Sequence, residues 1–187
     1  MIRFAKREDG PAIVDLLMII FKDMELAFVK EQGADLTKEI MLEAMEDATY
    51  RYAYGNGLVD EIDGQVAGVS FGYGDDQEDQ IDQAFQKLLP AYKVPSDQQL
   101  FIEKETFPNE WYLDSIAVNP QFQGHGIGSS LLSALPQLAH KADKKIIGLS
   151  VDTGNPLAKK LYTRQGFKVV GEKILSGHLY EHMQKEL

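Results

Sequence analysis

Gln123-Gly124-His125-Gly126-Ile127-Gly128 lies between a strand-like run, Trp111 to Val118, and a helix-like run that starts near Ile127. Glycines let backbone N–H groups approach a ligand closely, and a helix that follows directs its unpaired N–H groups and positive dipole end at the same spot. Three glycines in five residues exceed what a tight turn needs, so the loop reads as a phosphate cradle. His125 touches phosphate or solvent in this reading and carries no chemistry.

The spacing excludes the two commonest phosphate loops. A nucleotide-triphosphatase loop requires Gly, four residues, then Gly-Lys-Ser/Thr, yet no lysine follows these glycines before Lys141. A dinucleotide fingerprint requires G-x-G-x-x-G and an acidic residue about twenty positions on, but the glycines run 124, 126, 128 and position 144 is lysine.

What remains is Gln-x-x-Gly-x-Gly, preceded by Leu113-Asp114-Ser115-Ile116-Ala117-Val118-Asn119-Pro120. Further on come Asn155-Pro156-Leu157-Ala158 and Leu161-Tyr162-Thr163-Arg164-Gln165-Gly166-Phe167. In order and spacing these segments resemble the acetyl-CoA half of the GCN5-related N-acetyltransferase (GNAT) family, over about 111–167. The resemblance implies an α/β fold whose mixed, mostly antiparallel sheet is flanked by helices and splays at the acetyl-CoA strand. It also implies transfer of an acetyl group from acetyl-CoA to a primary amine by direct attack, the acceptor being a small molecule or a peptide. By the same resemblance the amides of Gly124, His125, Gly126, Ile127, Gly128 and Ser129 hold the pyrophosphate, with Gln123 and Asn155 beside them. Ile116 and Val118 pair with the pantetheine arm, the Ile116 amide stabilises the thioester oxygen, and Tyr162 is the general acid. Exposed strand edges in this family often pair into homodimers.

Composition narrows the alternatives. The chain of 187 residues fits a single domain, and a net charge of −10 disfavours a nucleic-acid surface, which needs clustered Lys and Arg. With no cysteine there is no disulfide, thiolate metal site or cysteine acyl-enzyme. The N-terminus runs straight into charged residues, and the apolar run Ala12 to Phe21 contains Asp15 and is shorter than the roughly 20 residues that span a membrane. A soluble cytoplasmic protein is expected, with no membrane partner.

Ile2 and Phe4 mark a first strand, and Asp9-Gly10-Pro11 opens a helix carrying Ile13, Leu17, Ile20 and Met24 on one face. A second helix is expected from Thr37. Leu58–Ile62 and Gln65–Tyr73 form a hairpin about Asp63-Gly64, giving the opening order β-α-α-β-β. Residues 75–110 read as an elaborated acidic connection holding one helix from Ile81 to Leu89. After the strand at 111–118 come a helix from Ile127 to Lys141 bent at Pro136, a strand from Lys145 to Val151, a helix from Pro156 to Arg164, and strands near Phe167 and Leu179.

Period-two alternation puts Tyr112, Asp114, Ile116 and Val118 on one side of their strand. Asp114 is therefore the first candidate for the general base, followed by Glu103 and Glu105, acting directly or through water, although each carboxylate taken individually is better explained as solvated or salt-bridged. Asn155 before Pro156 is also a natural helix cap. A base is useful because freeing an alkylamine of pKa about 10.4 at neutral pH costs about 4 kcal/mol. Proton transfer from an ordinary tyrosine to the departing thiolate is uphill by about 2 kcal/mol. Holding amine and thioester together supplies most of the rate, about 7–11 kcal/mol. The acidic cluster Asp75, Asp76, Glu78, Asp79 and Asp82 reads as a solvated insert, or as a steering field for a cationic substrate. His178 and His182, about 13 Å apart along a strand, are too distant to share a metal, and no metal is expected. A CoA-binding module without turnover, and a transferase of a longer acyl group, are the alternatives.

Overall fold

A computed structural model describes all of residues 1–187. Seven strands form one open sheet: β1 (Ile2–Phe4), β2 (Gly57–Ile62), β3 (Gln65–Gly74), β4 (Trp111–Val118), β5 (Ile146–Asp152), β6 (Lys168–Leu175) and β7 (His178–Glu186), in the spatial order β1-β2-β3-β4-β5-β7-β6. Every neighbouring pair is antiparallel except β4 and β5. This is the α/β class that the family resemblance implies.

Helices cover both faces. α1 (Gly10–Asp23), α2 (Ala27–Gln32), α3 (Ala34–Ala44) and α4 (Gln83–Leu88) pack on one face around Ile13, Leu17, Phe21, Ile40 and Phe71. α5 (Ile127–Ala134), α6 (Pro136–Lys141) and α7 (Pro156–Arg164) lie against the other, around Leu113, Leu131, Leu149 and Val151. Apolar residues recur along α1 at helical spacing, and the Asp63-Gly64 turn supplies the two positive φ angles, 49° and 75°, that a tight hairpin requires.

Three elements differ from the sequence expectation. α2 is an extra helix, so the opening order is β-α-α-α-β-β; six residues are too few for a clear apolar period, and its one buried anchor is Phe28. α3 starts at Ala34, three residues ahead of Thr37, entered through Gly33 at φ 86°. In the acidic connection the helix covers only Gln83–Leu88 and passes into a 3₁₀ turn through Pro90. At Pro136 the helix breaks into α5 and α6, yet the joining residue Leu135 keeps helical torsions (φ −56°, ψ −33°), so the path bends rather than stops.

Two irregularities in β4 position the site. Parallel pairing with β5 covers only Trp111, Tyr112 and Leu113, after which the strands part. Beside that point β3 pairs Phe71 with Ser115 and Gly72 with Leu113, so Asp114 is the extra residue of a β-bulge. The bulge reverses the alternation. Tyr112, Asp114 and Ser115 lie on the α1 side, where Ser115 meets Tyr52 at 3.2 Å, whereas Ile116 and Val118 pack with the α5-side core. The single-sided set expected from period-two spacing is thus split between the two faces.

Gly72 makes the close approach at the bulge possible. A Cβ there would sit 2.2 Å from the Tyr112 carbonyl oxygen and 2.5 Å from the Trp111 ring. Gly72→Ala is expected to lower the unfolding free energy by about 2–3 kcal/mol in urea titrations, because backbone must move to admit the methyl group.

Candidate active site

Where β4 and β5 part, a cavity of about 730 Å³ passes through the sheet. On the α1 side its wall includes Ile20, Met24, Phe101, Glu105, Ser150 and Tyr180; on the α5 side it includes Ile116, Val118, Ala158 and Tyr162. Gln123 and Asn155 also line it. Beyond Leu113 the edge of β4 toward β5 has no strand partner, leaving main-chain donors and acceptors open to an extended ligand.

The glycine loop stands at the α5-side mouth. Gly124 and Gly126 have φ of 81° and 78°, conformations that favour glycine, and a Cβ at either would meet only open space. No side chain caps α5, and the amides of residues 124 to 129 donate to no backbone carbonyl. Six free N–H groups beside a helix start suit an anion such as a pyrophosphate. His125 is exposed, with Nδ1 3.1 and 3.0 Å from the carbonyls of Phe122 and Gln123, which fixes it as part of the turn. Asn155 caps α7 by accepting from the Ala158 amide at 3.1 Å. Tyr162, one turn later, is buried, and desolvation pushes its hydroxyl up to about 12.

On the α1 side one guanidinium organises the carboxylates. Arg51 Nε and Nη2 donate to both oxygens of Asp82 at 2.8 Å, and Nη1 donates to Asp114 at 2.5 Å and to Glu105 at 3.1 Å. Its ring-like face lies 3.9 Å from the centroid of Phe101. Asp114, the first candidate base in the sequence, spends its other oxygen on the Ser115 hydroxyl at 2.7 Å. It lines the cavity and anchors Arg51, with each of its oxygens hydrogen-bonded. Glu103 is exposed and accepts from the Ser176 amide, away from the cavity wall.

Glu105 is different. It is buried, lines the cavity, and is held up at about 7 by desolvation, which the Arg51 charge only partly offsets, with the nearby Asp114 charge adding a smaller upward push. Its segment is fixed by Glu78, which accepts from the amides of Glu105 and Thr106 and from the Thr106 hydroxyl. Asp75 and Asp76 pair with Lys144. The acidic stretch, read from sequence as solvated, is therefore partly a scaffold for the cavity wall.

Behind the cavity lies a second polar group that the sequence reading did not find. His182 and Glu110 are fully buried, with Nε2 to Oε2 at 3.0 Å, and His182 Nδ1 meets the Ser150 hydroxyl at 3.1 Å. Phe107 stacks on the imidazole at 4.0 Å. His178, the other histidine of β7, instead faces Glu25 at 3.3 Å, and no cluster of three acidic or histidine side chains suited to a metal ion is present. No helix is long and apolar enough to cross a membrane.

Comparison with known proteins identifies the family and the fold. The model of the Acetyltransferase (GNAT) family matches residues 22–167. A crystal structure described as an acetyltransferase is 47% identical, with 100% of this chain and 98% of that one covered and a TM-score of 0.90. An N-acetyltransferase from Staphylococcus aureus Mu50 is 31% identical over 99% of this chain and 100% of that one, with a TM-score of 0.87. A Salmonella typhimurium acetyltransferase structure with its cofactor acetyl-CoA shares the fold at 21% identity and a TM-score of 0.62, over 100% and 93% of the two chains. A search of curated protein sequences returns no significant match.

Two stability effects follow from the carboxylate cluster. Replacing Arg51 by Met leaves buried carboxylates without their cation and is expected to cost about 3–5 kcal/mol in chemical denaturation. Because the folded pKa of Glu105 lies above its ordinary value of 4.5, protonation favours the fold, and that contribution fades as pH rises through about 7. The thermal midpoint should fall across that interval, and Glu105→Gln should flatten the fall.

Proposed function

The chain belongs to the GNAT acetyltransferase family, and on that premise we propose that it transfers the acetyl group of acetyl-CoA to a primary amine by direct attack. The observation that supports this best is the cavity through the sheet, which has a proton acceptor, Glu105, at one end and a proton-bearing phenol, Tyr162, at the other. An amine entering from the α1 side and a thioester entering from the α5 side meet at the gap between β4 and β5. The acceptor is an amine on a small molecule or a peptide.

The chain's residues divide the work. The amides from Gly124 to Ser129 hold the coenzyme pyrophosphate, Gln123 and Asn155 flank it, and the open backbone of Ile116 and Val118 receives the pantetheine arm. Bound acetyl-CoA supplies the activated acyl carbon. The Ile116 N–H donates to the carbonyl oxygen as negative charge grows there, a contact that strengthens in the transition state. Glu105 takes a proton from the incoming ammonium; it has one oxygen on Arg51, whereas Asp114 has both oxygens hydrogen-bonded, to Arg51 and Ser115. With its pKa near 7, Glu105 is ionised over the upper half of the physiological range and available for that step.

Tyr162 faces the departing sulfur. At about 12 its hydroxyl lies about 3.5 pH units above an ordinary thiol, so complete transfer to the thiolate is uphill by about 5 kcal/mol. Its contribution is a hydrogen bond that stabilises charge on sulfur as the C–S bond breaks. Burial suits this role, since a phenol that stays neutral always offers its proton.

Thermal unfolding with acetyl-CoA, CoA, ATP and NAD in parallel tests the binding half. A coenzyme at about 100 times its dissociation constant adds about 2.7 kcal/mol, so the two CoA species alone should raise the midpoint by several degrees. A shift with ATP or NAD instead would remove the reading. In an amine screen followed by product mass, Tyr162→Phe should lower kcat by about 10²-fold with little change in the KM for acetyl-CoA. The acid limb of kcat/KM should have its midpoint near pH 7 and should be abolished by Glu105→Gln.

A further inference from the structure

An ammonium that becomes an amide loses two protons from nitrogen. The first leaves to expose the lone pair, and the second leaves after the N–C bond has formed and before the C–S bond has fully broken. One of them ends on the coenzyme sulfur and the other in solvent, so the transfer proposed above needs two proton-accepting events at one nitrogen. Glu105 accounts for one.

The buried group behind the cavity fits the other. Both Glu110 oxygens are engaged as acceptors, Oε1 from the Phe107 amide at 2.7 Å and Oε2 from the Gln184 side-chain amide at 2.7 Å. As a carboxylate Glu110 only accepts, so His182 Nε2, at 3.0 Å, must carry the hydrogen. In a neutral imidazole that choice leaves His182 Nδ1 bare. The Ser150 hydroxyl, 3.1 Å away, then has to donate to it, which turns a lone pair of Ser150 toward the cavity it lines. The polarity is set from the inside outward and is held by packing, because Phe107 stacks on the imidazole on one side and Tyr112 lies parallel to it with centroids 5.9 Å apart.

We propose that Ser150 is a further catalytic residue, accepting the second proton of the acceptor nitrogen while its own hydroxyl proton passes to His182 Nδ1. The resulting imidazolium is paired with Glu110, the electron pair of the broken N–H bond stays on nitrogen, and that of the C–S bond leaves with sulfur. Solvent recovers the proton from the relay between turnovers. This inference rests on the reading of the chain as an amine acetyltransferase. His182 and Glu110 act through Ser150 as positioning residues.

Steady-state kinetics of Ser150→Ala and Ser150→Thr, with imidazole nitrogen NMR of the unliganded wild-type protein, test the relay. Ser150→Ala is expected to lose about 10²-fold in kcat at unchanged KM for acetyl-CoA, with Ser150→Thr recovering most of the loss because it keeps the hydroxyl. His182 is expected as the Nε2–H tautomer. A Ser150→Ala enzyme with wild-type kcat overturns the proposal, as does an Nδ1–H tautomer. Acetylated Ser150 after incubation with acetyl-CoA would likewise overturn it, by making the residue a nucleophile. If no amine is turned over by wild-type protein, the transferase reading fails separately, and the tautomer still decides the direction of the relay.

Discussion

The parting of β4 from β5 after three paired residues is the constraint on which the rest of the molecule depends. Two parallel strands that stayed paired would close the sheet and leave only two separate cores. The extra residue Asp114 prevents this by kinking β4 away from its neighbour, and the slot that opens is lined on both faces. Unpaired backbone in a protein interior is costly unless a ligand or water satisfies it. The slot therefore amounts to a binding site whose hydrogen-bonding groups are supplied by interrupted secondary structure.

Keeping that slot open requires rigid walls, and on the α1 side the wall is electrostatic. Arg51 is 3% exposed and bonds three carboxylates from three separate segments, tying the chain before β2 to the acidic connection and to the bulge. A buried cation with one partner would scarcely repay its desolvation, whereas one with several hydrogen-bonded partners and an aromatic face does. Burial in this wall raises the Glu105 carboxyl to about 7, and Arg51 offsets that desolvation only in part. Structural and chemical roles are coupled here through the same guanidinium.

The wall on the α5 side is simpler. A glycine loop, an uncapped helix start and an asparagine-capped helix surround the mouth, and each of these features is local in sequence. Local features are readable from residue order because their geometry is determined within a few residues. Gly124 and Gly126 need left-handed torsions, Pro156 prefers the first turn of a helix, and Asp63-Gly64 favours a hairpin turn, all for reasons internal to the backbone. Those positions were legible together with the strand and helix order from 111 to 167.

What the sequence did not disclose has a common physical origin in distance along the chain. Arg51 and Asp114 are 63 residues apart, and His182 and Glu110 are 72 apart, so no periodic pattern couples them. Asp114 looked free because its ion pair is made by a residue on another element, and Ile116 looked as though it shared a face with Tyr112 because a bulge leaves no mark in a period-two alternation. The amino-acid sequence by itself determined the loop, the helix caps, the turns and the class of ligand they suit, since those depend on torsions and donors of adjacent residues. Only the tertiary structure decided which carboxylate faces the cavity with a displaced pKa and which serine is backed by a histidine. Desolvation and charge sharing depend on neighbours that folding alone brings together.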